Sequence, residues 1–392
     1  MNFEVLEEKE PVSIVVVGTG GGGSNAINEM IRRGIKGVKF VAVNTDVKDL
    51  QKNNAEIKLQ IGSKLTMGRG AGGKPEIGEK AAQEDEELIK ETLRGADMVF
   101  VTAGMGGGTG TGSAPVISRI AKSLGALTVG VVTKPFNFER QHRMRLAEEG
   151  IARLRESVDT LIVIPNQNLL DSVDRNTPCI DAFSMVNDVL RQGIQGISDL
   201  IVETGHINID FADAESVMRD QGDALMSIGY GTGEKRVNDA VGAAMNNPLL
   251  EDSSIKGATR VLINCTGGKN FSLSEFNDAV EQITSEVAPD AEVYAGLNIN
   301  QEMEDKVKVT VIATGFKKND SRKTGKIPAG AAIKPGEVIS EDEFSKLRGK
   351  TASGYYLPHR NNYEDNLEIP TIIRDSQFSA AASMGASAGN CG

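Results

Sequence analysis

Two glycine clusters and one pair of aspartates hold the residues of this chain whose types and spacing could do chemistry. The first cluster, Gly18-Thr19-Gly20-Gly21-Gly22-Gly23-Ser24-Asn25, follows an apolar run and precedes a helical pattern. Glycines there let the backbone approach a phosphate closely, and the N–H groups of a helix N-terminus supply partial positive charge. Alone, the pattern fits the dinucleotide-binding G-x-G-x-x-G about as well. That alternative expects an acidic ribose anchor about 20 residues further on, and Asp46 lies near that spacing. The second cluster, Gly104-Met105-Gly106-Gly107-Gly108-Thr109-Gly110-Thr111-Gly112-Ser113, also follows an apolar run and opens a helix. Two such cradles at one edge of a sheet can surround a polyphosphate, and Thr109 can add a hydroxyl. No G-x-x-x-x-G-K-[ST] occurs: Lys74, in Gly70-Ala71-Gly72-Gly73-Lys74-Pro75, is followed by proline and preceded by no strand.

The aspartates lie in Asn208-Ile209-Asp210-Phe211-Ala212-Asp213. Asp210 and Asp213 are three apart, so a helical turn beginning there puts both carboxylates on one face. Paired carboxylates can polarise a water or hold Mg²⁺. Asn and Asp are also favoured helix caps, and on residue types alone that simpler reading stays open.

These residues need elements to position them. Val12 to Val17 is a β-branched run ending in Gly18, as expected of a buried parallel strand. Val38 to Val43, Met98 to Thr102, Leu127 to Val132 and Leu161 to Ile164 are similar. Helical patterns at Glu84 to Arg94, Ser113 to Leu124 and Arg143 to Ser157 lie between them, which implies a parallel sheet covered on both faces. Ile180, Phe183, Val186, Val189, Leu190, Ile194, Ile197, Leu200 and Ile201 then repeat at three- and four-residue steps, a core-facing stripe with Gly205 as its stop. This helix separates the aspartates from the glycine clusters by about 30 Å at 1.5 Å per residue. The acidic loop therefore cannot easily reach its own chain's cradle. It could reach a neighbour's in a head-to-tail stack, a heterologous contact that builds open filaments. Thr259 to Cys265 and Val307 to Ile312 read as strands of a second unit, and Ser272 to Val287 as a helix opened by a Ser272–Glu275 capping box.

Bulk properties narrow the class. The 392 residues suggest two or three domains, and 39% hydrophobic content supports ordinary cores. A net charge of -11 argues against a nucleic-acid binder. Cys179, Cys265 and Cys391 are far apart and form no C-x-x-C, which fits a reducing compartment and no zinc site. Met1 to Glu10 has no apolar core of a signal peptide, and no run of 18 apolar residues occurs. The expectation is a cytoplasmic protein with no direct membrane insertion.

The string Gly106 to Gly112, GGGTGTG, resembles the long signature motif of tubulin-like GTPases, in particular those of bacterial cell division. The resemblance covers about residues 12 to 316 and again 365 to 374. It implies an α/β fold: a parallel-sheet nucleotide-binding domain joined by a long central helix to a second, smaller α/β domain. The boundaries it implies are a flexible N-terminus 1–11, a GTP-binding domain 12–178, the central helix 179–205, and a second domain 206–316 with a catalytic loop 206–213.

The resemblance further implies GTP as substrate, with Mg²⁺ held by the nucleotide rather than by a protein ligand cluster. Gly21, Gly22, Gly23, Ser24 and Asn25 would form the first phosphate loop, and Gly104, Gly106, Gly107, Gly108, Thr109 and Gly110 the second. Asn44, Asp46, Ala71, Gly72 and Gly73 would lie on the β- and γ-phosphate side. Glu139 would bind ribose hydroxyls with Arg143 beside the nucleotide, although the two also suit a plain i,i+4 ion pair. Asn166, Phe183, Asn187 and Asp188 would take the base, Phe183 by stacking. Asp210 and Asp213, with Asn208 in support, would orient the attacking water for the adjacent subunit of a homopolymer.

Beyond Phe316 the composition changes to a basic cluster and then to Pro, Gly and polar residues, a linker over 317–364. Asp365 to Arg374, DNLEIPTIIR, then offers Leu367, Ile369, Pro370, Ile372 and Arg374 as anchors of a linear motif. It resembles the peptide by which division proteins of this family bind membrane-tethering and ring-regulating partners, which implies location at the mid-cell ring. Residues 375–392, rich in Ala, Ser and Gly, read as a disordered tail.

Overall fold

In a computed structural model, the described residues are 12–171, 176–202, 206–207, 209–246 and 255–316. The five apolar runs become parallel strands of one seven-stranded sheet in the order β3-β2-β1-β4-β5-β6-β7. These are β1 Ile14–Thr19, β2 Val38–Asn44, β3 Ile57–Gln60, β4 Met98–Gly104, β5 Leu127–Lys134, β6 Thr160–Pro165 and β7 Gly222–Asp223. Each of Ile14 through Thr19 is buried, because a central parallel strand has helices on both faces.

The covering helices are α1 Gly20–Arg32, α2 Val47–Lys52, α3 Ser63–Thr66, α4 Pro75–Glu84, α5 Glu86–Leu93, α6 Thr109–Ser123, α7 Arg140–Arg155 and α8 Asn166–Asp171. One apolar layer packs Ile27, Met30, Phe100 and Val129 against α9, Cys179–Val202. The other packs Val15, Val17, Val99 and Val101 against Ile89, Ile117 and Ile151. α9 buries Val186, Val189, Leu190, Ile194, Ile197 and Leu200, the stripe expected from its sequence.

After α10, Phe211–Met218, the chain returns to the first sheet. Thr160 pairs with Gly222, so β7 lies beside the start of β6. The second unit expected from residue 206 thus first contributes an edge strand to the nucleotide-binding sheet. Its own four-stranded sheet runs β10-β9-β11-β8, from β8 Leu225–Thr232, β9 Arg260–Gly267, β10 Glu292–Ile299 and β11 Lys306–Thr314. α11 Arg236–Met245 and α12 Leu273–Thr284 cover it. Val237, Val241, Ile263, Cys265, Ile283 and Val309 form its separate core. The Ser272–Glu275 capping box is formed at α12.

The helix expected over Glu84 to Arg94 is α5, Glu86–Leu93; α4, which the sequence pattern does not single out, precedes it and is parted from it at Asp85, whose carboxylate accepts from Gly62 N at 2.6 Å. α1 and α6 start inside the glycine clusters, so the expected loops are largely first helical turns. The expectations for 1–11, for Gly205 and Asn208, and for 317–392 with Leu367, Ile369, Pro370, Ile372 and Arg374 lie outside the described residues.

Candidate functional site: a backbone phosphate cradle and a remote acidic helix

The order of the first sheet reverses between β1 and β4, and at such a switch point the loops leaving adjacent strands part to form a crevice at the C-terminal edge. α1 leaves β1 there and α6 leaves β4. Their N-termini nearly touch. Gly20 has a φ of +69°, and a Cβ on it would stand 2.7 Å from Gly110 N. A Cβ on Gly22 would stand 2.9 Å from Gly104 N. The third loop joins them: a Cβ on Gly108 would meet Lys74 N at 2.8 Å and Gly73 N at 3.1 Å. Lys74 precedes Pro75 at the start of α4. Three helix N-termini therefore converge, each with unpaired N–H donors and the positive end of a macrodipole. Glycine is required because side chains would fill the space between these backbones.

Hydroxyls and an amide bind the loops to one another. Thr45 Oγ1 and Thr109 Oγ1 are 2.7 Å apart, and Thr19 Oγ1 and Ser113 Oγ 2.5 Å apart, all four residues being buried. Gly106 N donates to Thr111 Oγ1 at 2.8 Å, and Gly70 N to Thr45 O at 3.2 Å. Asn44 is buried at the end of β2, its Oδ1 accepting from Asp46 N at 3.3 Å. Gly21, Gly22, Gly72 and Gly73 remain exposed, and Gly107 has open space where a side chain would be. Ser24 is buried on α1 with its hydroxyl unpaired among described atoms, whereas Asn25 is exposed. Ala71 is buried against Gly108.

The ends of β5 and β6 extend the crevice. A Cβ on Gly106 would meet Arg143 O at 2.7 Å, which brings the start of α7 to the cradle wall. Glu139 accepts from Phe136 N at 3.0 Å and pairs with Arg143, so the local ion pair is formed. Phe183, nearly half exposed on α9, packs edge-on to Phe136 with centroids 5.6 Å apart, and Phe136 stacks on Phe138. Asn166 follows β6, buried, with its Oδ1 lacking a donor among described atoms. Asn187 is one turn from Phe183 on the same helix face. Asp188 instead accepts from Arg191 at 2.7 Å and Gln192 at 2.5 Å, with Arg33 at 4.0 Å. Burial acts to raise its pKa, but these donors outweigh burial and hold the carboxyl below the ordinary range. The structure thus separates two neighbours that the sequence grouped together: Asn187 shares the aromatic face and Asp188 is committed to arginines.

The acidic pair is elsewhere. Asp210 caps α10, its carboxylate accepting from Asp213 N at 2.8 Å. The cap expected from the residue types is thus formed, with Asp210 exposed and Asp213 half-buried at the helix start. The helix end is fixed to the opposite, N-terminal edge of the same sheet. Thr160 Oγ1 donates to Met218 O, and Arg219 Nη2 to Gly125 O at 3.3 Å. β1 has six residues, so that edge lies about 20 Å below the cradle at 3.3 Å per residue. On the other side Ile207 bridges to Leu297 in β10. Within one chain the cradle and the aspartates face away from each other.

The sequence alone assigns Thr45 and Phe136 no individual role; only their partners, Thr109 and Phe183, reveal one.

A crevice lined by backbone donors at a sheet switch point, with an aromatic face beside it, defines a nucleotide polyphosphate-binding domain. Residues 13–174 match the GTPase domain of the Tubulin/FtsZ family, and residues 222–317 match the C-terminal domain of the FtsZ family. An empty FtsZ dimer from M. jannaschii superimposes with a TM-score of 0.74 at 45% identity, over 79% of this chain and 89% of that one. A GTPγS-bound protofilament of CetZ2 from Haloferax volcanii shares the fold at 19% identity, with a TM-score of 0.64 over 78% of this chain and 94% of that one. This chain belongs to the FtsZ family of tubulin-like GTPases, and it is a GTPase. The dinucleotide alternative is thereby overturned; Asp46, its ribose anchor, caps α2 by accepting from Lys48 N at 2.9 Å.

Proposed function

We propose that this protein polymerises head to tail and hydrolyses GTP at a site completed by the adjacent copy. The observation that carries this reading is the placement of the cradle and of Asp210/Asp213 at opposite edges of one sheet. A stack that repeats one translation brings the lower edge of each subunit onto the upper edge of the next, and such a contact does not close. The dimer and protofilament solved for the two relatives support the same reading.

The chain's own groups divide the work. N–H donors of the first turns of α1 and α6, and of Gly72 and Gly73, grip the phosphates and stabilise charge that develops on them. Phe183 provides a face for the base, Asn166 and Asn187 its polar edge, and Glu139 the ribose contact. Asp210 and Asp213 of the neighbour, supported by Asn208, orient the water for in-line attack on the γ-phosphorus. A Mg²⁺ would be held by the bound nucleotide rather than by a protein ligand cluster. That ion, when bound, neutralises phosphate charge.

The cellular reading is a cytoplasmic division protein at the mid-cell ring. One feature supports it: Leu367, Ile369, Pro370, Ile372 and Arg374 offer a peptide for membrane-tethering and ring-regulating partners.

Complementation tests the shared site. Asp213→Ala should bind GTP and assemble, but turn over about 10²- to 10⁴-fold more slowly, as loss of a water-orienting carboxylate does. Gly20→Val should lose the cradle but keep the acidic helix. Mixed one to one, the two inactive variants should regain roughly a quarter of wild-type turnover, because one interface in four joins an intact cradle to an intact helix. A mixture as inactive as its components would sink the shared-site reading.

A further inference from the structure

The cradle and the acidic helix are joined within each subunit by α6. Its first turn, from Thr109, walls the cradle, and its last turn carries Lys122 at the opposite edge of the sheet. Lys122 Nζ lies 2.6 Å from Asp220 Oδ1 and 2.9 Å from Asp159 Oδ1. An exposed Lys–Asp pair by itself contributes little. Asp159, however, is fully buried at the start of β6. Its Oδ2 accepts from Thr128 N at 2.9 Å, and its Oδ1 has no other donor among described atoms, so its counter-charge is the Lys122 ammonium. A buried carboxylate stripped of its cation is strongly destabilising, so this geometry is over-determined.

Asp220 is the second residue past α10 and holds a φ of +56°, a left-handed conformation that aspartate adopts more readily than most residues with a Cβ. Burial acts against the Lys122 charge, but the hydrogen bonds to Asp220 and Asp159 outweigh it and hold its pKa above the usual lysine value. The Asp159 backbone adds a further tie, its carbonyl accepting from Gly222 N at 2.9 Å. The C-terminal end of α10 is thus fixed by donors of the first domain, and α10 carries Asp213 in its first turn.

We infer that Lys122 is a positioning residue for GTP hydrolysis: by bridging Asp159 and Asp220 it sets the seating of α10, and so the aim of Asp213 at the neighbouring subunit's nucleotide. A small misplacement of a water-orienting group costs up to about 10²-fold in rate. The inference rests on the shared-site reading, and its test reports on each separately.

The experiment uses the full chain in four forms, Lys122→Met, Lys122→Arg, Asp220→Asn and the Gly20→Val cradle variant, together with Asp213→Ala. Asp220→Asn leaves the Lys122–Asp159 pair in place, so it remains informative if Lys122→Met does not fold. Lys122→Met and Asp220→Asn should bind GTP like wild type, yet turn over about ten- to a hundredfold more slowly. Lys122→Arg should recover most of the rate. Mixed with Gly20→Val, each slow variant should regain activity, because its cradle is served by an intact helix; mixed with Asp213→Ala, neither should. Wild-type turnover in Asp220→Asn, or recovery with Asp213→Ala in place of Gly20→Val, overturns the inference, the latter because the defect would then lie in the cradle at the other end of α6. Failure of Asp213→Ala and Gly20→Val to complement each other removes the shared site itself.

Discussion

The upper and lower edges of the first sheet solve different problems with different materials. The upper edge is built of backbone: Gly20, Gly22 and Gly108 approach neighbouring backbone within distances that no Cβ tolerates, and buried threonine hydroxyls pin the loops. The lower edge is built of side chains, with two carboxylates at a helix start and an ion-pair network beneath it. A backbone cradle serves a ligand that is always polyanionic and must be held before any partner arrives. Carboxylates can polarise a water, but they repel a polyphosphate. In the proposed shared site, their place on the far edge would let one chain bind GTP without hydrolysing it, assembly supplying the missing group. If the proposed site holds, the contrast makes rate a property of a contact rather than of a subunit.

The largest effect expected from breaking this contrast is at the cradle. In Gly20→Ala the new Cβ meets Gly110 N while φ stays at +69°. Strain of about 1–3 kcal/mol, as such conformations cost, predicts GTP binding weakened roughly 5- to 150-fold, measured by fluorescent-nucleotide titration. The acidic edge should be unaffected, so this variant should still rescue Asp213→Ala. A smaller effect is expected at the base face. Phe183→Ala loses its edge-on contact with Phe136. An aromatic contact of about 0.5–1.5 kcal/mol predicts GTP affinity reduced several-fold with Tm little changed, because Phe183 is half exposed.

The smallest effect on catalysis, and a sharper control, lies in the second domain. Arg236 is buried and donates to Glu275 at 2.7 and 2.9 Å, and to Asn270. The Arg236 guanidinium holds the Glu275 carboxyl at about 2, from an ordinary 4.5, with burial opposing it. A depressed folded pKa means that this stabilisation is complete above about pH 4.5 and is lost as pH falls toward 2. Arg236→Met should therefore lower stability to urea at pH 7, and its deficit relative to wild type should shrink by pH 3, leaving the Asn270 share. A deficit equal at both pH values would assign the effect to packing alone. GTP binding should be unchanged at pH 7, since neither residue approaches the cradle.

The five strands of the first sheet and the long helix α9 were legible because each is a run whose period matches its burial. Val38 to Val43 and the stripe from Val186 to Leu200 needed no partner to be recognised. β7 was not legible: its two residues, Gly222 and Asp223, carry no apolar pattern and become a strand only by pairing with Thr160 and Leu161. β8 and β10 were missed for a related reason, since glycines such as Gly229, Gly231 and Gly296 interrupt their alternation where helices or side chains pack close. The break between α4 and α5 also comes from a distant residue, Gly62, drawing the Asp85 carboxylate.

The sequence by itself determined the chemistry: two glycine clusters that can cradle phosphate, one aspartate pair, and a helix too long for them to meet within one chain. These follow from residue type and spacing, which act locally. Only the tertiary structure decided which groups converge. It brought Lys74, Gly108 and Gly20 together from three helices, set Arg33 beside Asp188, and linked Lys122 to Asp220. Those pairings join residues far apart in the chain, and their geometry is set by how the helices pack on the sheet, which no local pattern encodes.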